Sequence, residues 1–367
     1  MAEGWTRRQL LAQATIAAAV YTLDPHELCC GVNAYAQTAS AESFELKKVG
    51  DGVWAAVAAA RYKVNSNAAV IETNDGLVIV DTHSKPSAAQ SLYKDIQGVS
   101  KKPVKKVINT HFHWDHWQGN QVYAQGNPGL EIIASERTKA RMTDPNQTNG
   151  GVAFIEKQVA SMPAEIDKIK SDIQKAPDAE TKARLERNLA QAEGYLAELK
   201  TMKPPVPTRT VSNAVTLKEG GREIQLLLLG RAHTDGDLFI YLPKEKVVAT
   251  GDAVIDWMPF FNDGYPEDWI QTVAAIEKLD VNQVIVGHGD PAPKSHLTYF
   301  RGYLTDLIGA VKKASADKMP LDDMKKKIAE DLAPKYEKPM SKYPLGRYRD
   351  RIDANVDQVH NKTVKKS

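Results

Sequence analysis

The stretch His111-Phe112-His113-Trp114-Asp115-His116 follows directly on residues 104–110, which have the pattern of a strand. The chain has nine histidines in 367 residues, and three of them fall within this stretch together with a carboxylate. In an extended segment residues i and i+2 point to the same side, so His111 and His113 can face one ion. Asp115 and His116, which start the next turn, can face a second ion. The stretch therefore predicts a metal site at the end of a strand.

Three more metal-capable residues follow apolar runs later in the chain, namely His233, Asp252 and His288. Layered α/β proteins place their sites beyond the carboxyl ends of strands, so we expect these side chains to lie near the first stretch. Nitrogen and oxygen donors without sulfur suit Zn²⁺, and they leave iron, manganese and nickel open.

Strand and helix patterns alternate around these residues. Asn74-Asp75-Gly76 separates two apolar runs and predicts a hairpin. A helix is predicted from Pro86 to about Gln97, followed by a strand from Val104 to Thr110. Further strands are predicted over residues 224–229, 238–242, 247–251 and 284–286, with a helix over residues 267–279. The order indicates an α/β fold with helices layered on sheets.

Residues 151–203 differ in composition, being rich in Ala, Glu, Lys and Gln. Their apolar residues recur at spacings of three and four, which predicts two helices: Ile166, Ile169 and Ile173, then Leu185, Leu189, Leu196 and Leu199. Pro177 separates the helices and Pro204-Pro205 ends the second. We expect a helical hairpin that is a structural insertion, a lid or a contact between subunits of a homo-oligomer. Residues 301–367 are predicted to form a helical C-terminal extension with a polar tail.

The N-terminus carries Thr6-Arg7-Arg8-Gln9-Leu10-Leu11, a weakly apolar run to Leu23 and then Ala34-Tyr35-Ala36. The order resembles a twin-arginine export signal over residues 1–36, which predicts a periplasmic or secreted protein. Cys29 and Cys30 precede the cleavage point, so the mature chain would hold neither a disulfide nor a thiolate ligand. An ordinary N-terminal helix and a lipid anchor on Cys29 are the alternatives.

The overall charge excludes some classes of partner. Lys and Arg number 48 against 46 Asp and Glu, which gives a formal net charge of +2. This balance argues against nucleic acid or an acidic membrane surface as partner. No apolar run reaches the length of about 18 residues needed to span a bilayer, so we expect no stable membrane insertion after signal cleavage.

Four motifs together carry a family resemblance: H-x-H-x-D-H at 111–116, H-T-x-G-D at 233–237, T-G-D at 250–252 and G-H-G at 287–289. In this order they resemble the metallo-β-lactamase superfamily, in particular its glyoxalase II-type thioesterases and lactonases. The resemblance covers about residues 44–300, and we expect a catalytic domain over residues 43–300. It implies a four-layer αβ/βα sandwich with two metal ions at one edge of the sheets.

The resemblance also implies a role for each motif residue. His111, His113 and His233 would bind the first Zn²⁺, Asp115, His116 and His288 the second, and Asp252 would bridge the two. A metal-bridging hydroxide would then cleave a thioester, lactone or β-lactam in a small-molecule substrate, with Asp115 and Asp252 as the catalytic carboxylates. Asp252 stands where the family's β-lactamases usually carry cysteine or serine.

Two alternatives stay open: a β-lactamase proper, and an iron-dependent sulfur or persulfide oxidoreductase of the same fold. Nucleic-acid processing and a non-enzymatic metal-binding module are disfavoured. Around the motifs, His83 is a structural or substrate-facing candidate, and Asp81 and Asp237 are candidates to orient ligands. Residues 257–265 are a candidate pocket wall, and Trp114 and Trp117 are expected to brace the metal stretch.

Overall fold

The computed structural model describes residues 44–59, 66–343 and 347–364. The predicted export signal, both cysteines and the last residues of the polar tail lie outside these ranges. Within them, no helix combines the length and the apolar character needed to cross a bilayer.

The first sheet has seven strands within the described residues, and they lie side by side in chain order. They are β1 (Phe44–Gly50), β2 (Val53–Ala58), β3 (Ala68–Glu72), β4 (Leu77–Val80), β5 (Val104–Ile108), β6 (Glu131–Ser135) and β7 (Arg209–Val211). The pairs from β1 to β4 are antiparallel, and β4 to β7 are parallel. The turn Asn74-Asp75-Gly76 joins β3 to β4, which confirms the predicted hairpin.

The second sheet has six strands within the described residues, in reverse chain order. They are β8 (Val215–Glu219), β9 (Arg222–Leu227), β10 (Phe239–Leu242), β11 (Val247–Gly251), β12 (Gln283–Val286) and β13 (Ala292–Pro293). Among these six strands, only the pair β11 and β12 is parallel. A parallel pair needs a crossover, and the helix predicted over residues 267–279 supplies it.

The described helices cover both outer faces of the sheets, and two of them are formed by the middle of the chain. They are α1 (Pro86–Val99), α2 (Trp114–Trp117), α3 (Asn120–Gly126), α4 (Glu136–Thr143), α5 (Gly151–Gln174), α6 (Ala179–Thr201), α7 (Pro266–Glu277), α8 (Ser295–Ala316), α9 (Leu321–Tyr336) and α10 (Tyr348–Thr363). A 3₁₀ turn at Pro339–Ser341 precedes α10. The last helix reaches Thr363, so the first residues of the predicted polar tail are helical instead.

Alternate residues of each strand pack into different layers. In β3, Val70 packs with Leu92 of α1, whereas Ile71 packs between the two sheets with Ile240. In β11, Val248 packs with the helices over the second sheet. The central strands β4, β10 and β11 are therefore buried on both faces, which explains their continuous apolar runs. The order helix, sheet, sheet, helix confirms the predicted four-layer sandwich.

The middle of the chain forms the two predicted helices, α5 and α6, which contact each other. Their apolar stripes share a core cluster with Phe112, Trp114 and Trp117 of the metal stretch. At the far end of α6, the carboxylate of Glu198 accepts hydrogen bonds from the backbone N–H and the hydroxyl of Ser87. The helical hairpin therefore packs directly on the segment that carries the candidate ligands. Its action as a lid or a subunit contact stays a prediction.

The candidate site residues follow the carboxyl ends of neighbouring strands. Asp81 follows β4 and His111 lies shortly after β5, whereas Asp252 follows β11 and His288 lies shortly after β12. Both strand pairs are parallel, so these ends meet at one edge of the sandwich. The strand predicted from Val104 to Thr110 ends at Ile108, so His111 lies in a bend and not in the extended segment predicted for it.

Candidate metal centre

The seven predicted ligands form one connected cluster of nitrogen and oxygen donors. Three groups have ligand atoms within 4.8 Å of one another: His111, His113 and His233; His111, His116 and Asp252; and Asp115, His116 and His288. His111 and His116 each belong to two groups, so the groups are continuous. Residues far apart in sequence thus meet at one edge of the sandwich, as the motif order implied.

Asp252 lies between the outer groups, which are the His111–His113–His233 group and the Asp115–His116–His288 group. Its Oδ1 is 3.2 Å from Nε2 of His116 and 3.3 Å from Nε2 of His288. Its Oδ2 is 3.6 Å from Nε2 of His233, in the other group. The two oxygens of one carboxylate therefore face different sets of imidazoles, which is the arrangement that a bridging carboxylate needs.

Several of these donor atoms are buried without a hydrogen bond. Nε2 of His111, Nε2 of His116 and Oδ1 of Asp252 have no hydrogen-bond partner among the described residues. Buried polar atoms are normally satisfied, and an unsatisfied one calls for an explanation such as an ion. Close imidazole and carboxylate donors without hydrogen-bond geometry fit divalent cations with nitrogen and oxygen ligands.

Asp81 orients His116 from behind. Its Oδ2 lies 2.7 Å from Nδ1 of His116, and both side chains are fully buried. The carboxylate holds the proton on Nδ1, so Nε2 keeps its lone pair towards the cluster. Asp81 has φ of 61°, in the left-handed region that a non-glycine residue adopts only when its surroundings require it. The sequence had marked Asp81 as a candidate for this role without naming its ligand.

Thr110 connects the same carboxylate to His111. The Thr110 hydroxyl donates to Oδ2 of Asp81 at 2.8 Å and lies 3.0 Å from Nδ1 of His111. Because the hydroxyl proton is donated in the hydrogen bond to Asp81, the hydroxyl oxygen accepts a hydrogen bond from Nδ1–H of His111. Nε2 of His111 is then free to bind a cation. One carboxylate thus sets the tautomers of ligands in both outer groups.

His113 has a different carboxylate behind it. Oδ2 of Asp263 lies 3.0 Å from Nε2 of His113, and Nδ1 of His113 lies 2.7 Å from Nε2 of His233. Because Asp263 holds a proton on Nε2 of His113, Nδ1 keeps the lone pair that can bind a metal ion. In His111 and His116 the atom with the free lone pair is Nε2.

Burial disfavours the protonated form of His111 and His233. Burial, together with the neighbouring His113, lowers the pKa of His233 to about 3. Burial and the neighbouring His116 lower the pKa of His111 well below its usual value. The neutral imidazole is the form that binds a cation, so these two side chains are already in the ligand state near pH 7.

In the group formed by Asp115, His116 and His288, the neighbouring carboxylates outweigh the effect of burial on the histidine pKa. Burial opposes protonation of His288, but Asp252 and Asp115 outweigh it and raise the pKa of His288 to about 9. Burial likewise disfavours the charged form of Asp252, yet His288 and His116 hold the pKa of that carboxylate well below its usual value. The two ionised carboxylates that stabilise the charged form of His288 can stabilise a metal cation in the same way.

Two glycines let the ligand loops approach each other closely. A side chain on Gly119 would overlap the carbonyl oxygen of Thr82, and one on Gly287 would overlap Oδ1 of Asp252. The backbone N–H of Thr82 donates to the His116 carbonyl at 2.8 Å, so the Gly119 contact lies beside a ligand. The glycine of the G-H-G motif is explained by its approach to the carboxylate between the two groups.

The other sequence candidates occupy supporting positions. His83 is fully buried, stacks on Phe44 with ring centroids 4.1 Å apart and has Nδ1 2.9 Å from the carbonyl oxygen of Ser66. Asp237 accepts from the backbone and hydroxyl of Thr234 and so holds its own loop. Trp257 stacks on His288 with ring centroids 4.9 Å apart.

Three residues at the site were not predicted from the sequence. Thr110 is one residue from the metal stretch, so its position was the available signal. Asp263 lay inside the segment interpreted as a pocket wall, but its partner His113 is 150 residues away. Asn149, whose Nδ2 donates to Oδ2 of Asp263 at 2.9 Å, gave no signal, because a lone asparagine in a polar loop is unremarkable.

Known proteins of several kinds are similar to this chain. A Bacillus cereus protein named metallo-beta-lactamase type 2 is 21% identical over 242 residues, covering 64% of this chain and 72% of that protein. A linear primary-alkylsulfatase from a Pseudomonas strain is 21% identical over 233 residues, covering 60% of this chain and 41% of the relative. A solved metallo-beta-lactamase from Pontibacter korlensis is 19% identical, covers 71% of this chain and 99% of that chain, and superposes with a TM-score of 0.49.

The family assignment rests on the match to a family model. Residues 61–288, more than half of the chain, match the model of the metallo-beta-lactamase superfamily. The matched range contains all seven clustered donors as well as Asp81 and Asp263. This chain therefore belongs to the metallo-beta-lactamase superfamily and is a metal-dependent hydrolase with His and Asp metal-binding clusters.

Proposed function

We propose that the protein is a dinuclear zinc hydrolase that cleaves a carbonyl ester-like bond, such as a thioester, a lactone or a β-lactam. His111, His113 and His233 would hold one ion, and Asp115, His116 and His288 the other. The observation that carries the proposal is the position of Asp252, whose two oxygens face the two sets of ligands.

The chemistry divides between the ions and the chain. Bound zinc would supply a water with its pKa lowered towards about 7 and an electrophile for the carbonyl oxygen of the substrate. Burial disfavours the charged form of Asp115, but His116 and His288 outweigh it and lower its pKa, so the carboxylate is ionised at neutral pH. Asp115 can therefore orient the attacking water and accept its proton. Asp81 and Asp263 keep the imidazoles in the tautomers that face the site.

The relatives widen the range of substrates to be tested. The names metallo-beta-lactamase and alkylsulfatase bring β-lactams and sulfate esters into consideration for this chain. Asp252 favours thioesters and lactones, because the family's β-lactamases usually carry cysteine or serine at this position. A chromogenic cephalosporin, an acyl thioester, a lactone and an alkyl sulfate, each with and without chelator, form the first panel.

Metal content and turnover test the proposal together. We expect about two zinc ions per purified chain, chelator-sensitive hydrolysis of a carbonyl substrate and at least a 100-fold loss of kcat in Asp252→Asn. Asp75→Asn, in the exposed turn at the opposite end of β4, is the matched control and should retain full activity. Iron as the bound metal, or cleavage of the alkyl sulfate alone, would contradict the proposal.

We also propose that the mature enzyme is exported through a twin-arginine signal. The order of Arg7-Arg8, an apolar run and Ala34-Tyr35-Ala36 supports it. N-terminal sequencing of protein from the periplasm should begin near residue 37. Arg7→Lys combined with Arg8→Lys should retain the full-length chain in the cytoplasm, and unchanged export of that variant would contradict the signal.

A further inference from the structure

The carboxylate of Asp263 belongs to a loop, between Asp252 and α7, that has no helix or strand of its own. This carboxylate lies 3.0 Å from Nε2 of His113, and the opposite ring nitrogen faces His233. A loop residue that fixes the tautomer of a buried ligand has to be held in place itself.

Two parts of the chain outside the sandwich hold this loop. Asn149 lies two residues before the first helix of the hairpin, and its Nδ2 donates to the same Oδ2 of Asp263 that faces His113. Lys362, in the last turn of α10, donates to the carbonyl oxygens of Asn262 at 2.6 Å and Gly264 at 2.9 Å. These two carbonyls flank Asp263, so the ammonium group fixes the backbone on both sides of the carboxylate.

The arrangement at Asp263 also determines which groups donate. Nδ2 of Asn149 lies 3.2 Å from Nε2 of His113, and both approach the same Oδ2 of Asp263. With a proton on Nε2 both nitrogens are donors, so they share the carboxylate oxygen instead of bonding to each other. The Asn149 amide therefore helps to hold this carboxylate oxygen beside Nε2 of His113.

We propose that Asn149 and Lys362 are positioning residues that hold Asp263 against His113, so that zinc affinity at the His111–His113–His233 group depends on both the segment before the hairpin and the C-terminal helix. The inference rests on the proposed function, in which His113 is a ligand. The superfamily match ends at residue 288, so Lys362 adds a support from outside the matched domain. Loss of a residue that orients a metal ligand typically lowers metal affinity about 10- to 100-fold.

Zinc titration against a chromophoric chelator, which resolves two dissociation constants, tests the inference on the full mature chain. Asp263→Asn should weaken one constant about 10- to 100-fold and leave the other within about threefold. Asn149→Ala and Lys362→Met should weaken the same constant several-fold. Lys294→Met is the matched control, because Lys294 is another lysine that donates to a backbone carbonyl, that of Leu279 at 2.7 Å. It should change neither constant.

Folding is followed separately by the unfolding midpoint in excess chelator, which should stay within about 2 °C of wild type. If Lys362→Met lowers the unfolding midpoint by more than this, Lys362→Arg is the second variant. The arginine restores a donor to the two carbonyls, so it should restore both the midpoint and the weakened zinc dissociation constant. Unchanged constants in Asp263→Asn overturn the inference, as do unchanged constants in both Asn149→Ala and Lys362→Met. A wild-type chain that binds no zinc would instead refute the proposed function.

Discussion

Oδ2 of Asp81 lies 2.7 Å from Nδ1 of His116, and the same oxygen accepts the Thr110 hydroxyl at 2.8 Å. One buried carboxylate therefore orients His116 directly and His111 through Thr110. The two imidazoles face different sets of ligands, so Asp81 links the two halves of the proposed metal site.

We expect Asp81→Asn to weaken zinc binding about 10- to 100-fold at both positions. The backbone N–H of Thr110 donates to Oδ1 of Asp81, so the amide oxygen will keep that place and the amide nitrogen will face His116. An amide N–H cannot accept the His116 proton, which moves to Nε2 and blocks the lone pair. Asparagine tolerates the left-handed backbone at this position, so folding should persist. Chelator competition measures both constants, and an effect on one position alone would contradict the shared role.

Gly119→Ala should destabilise the fold by about 1–3 kcal/mol, because the added methyl overlaps the Thr82 carbonyl oxygen in a packed region. Gly98→Ala is the matched control, since Gly98 lies exposed in α1 with nothing within 4 Å of the added methyl. Alanine there should be neutral or stabilising by up to about 1 kcal/mol. Urea unfolding of both variants measures the difference, and equal stabilities would refute the close approach.

The hairpin is anchored by a largely buried ion pair with a defined pH dependence. Nζ of Lys85 lies 3.7 Å from Oε1 of Glu198, with side chains 6% and 23% exposed. Glu198→Gln should cost about 2–3 kcal/mol at pH 7.5, less than a fully buried pair because Glu198 is partly exposed. The amide oxygen can still accept the backbone N–H of Ser87, and the Ser87 hydroxyl can rotate to accept from the amide nitrogen, so the loss mainly reports the charge of Glu198.

Burial lowers the pKa of Lys85 below 10.5 in the folded protein, against the attraction of Glu198. Between the lowered value and 10.5 the unfolded chain binds more protons, so the contribution of Lys85 to stability rises with pH. Neutral Lys85 is no longer stabilised by the charge of Glu198. The difference in unfolding free energy between wild type and Glu198→Gln should therefore narrow as pH rises towards 10.5. A gap that stays constant from pH 7.5 to 10.5 would show that charge is not the cause.

Zinc should stabilise the folded chain measurably, because the clustered ligands exist only in the folded state. Free zinc at 100 times its dissociation constant adds about 2.7 kcal/mol for one site. Thermal unfolding with zinc and with chelator measures the shift, and calcium is the control because it prefers oxygen ligands. Equal midpoints in zinc and chelator would exclude a folded-state metal site.

The sequence was most informative where the functional residues lie close together in the chain. His111, His113, Asp115 and His116 fall within six residues, so their types and spacing alone predicted a metal site. The apolar runs of β4 and β11 likewise predicted buried strands, since a sheet covered on both faces needs apolar side chains on both.

It was least informative where one side chain supports another across the fold. Asn149, Asp263 and Lys362 are common polar residues with no motif around them, and their contacts span more than 90 residues of sequence. Lone polar residues of this kind are usually solvated, so composition and periodicity cannot separate these from the rest.

The sequence by itself predicted the candidate metal-binding residues, the strands that carry them and the superfamily, because these depend on residue identity and short-range periodicity. Only the tertiary structure decided which carboxylate orients which imidazole: Asp81 serves His116, Asp263 serves His113, and Asp237 holds its own loop. The physical reason is that a hydrogen bond acts over about 3 Å, and chain packing alone brings distant residues that close.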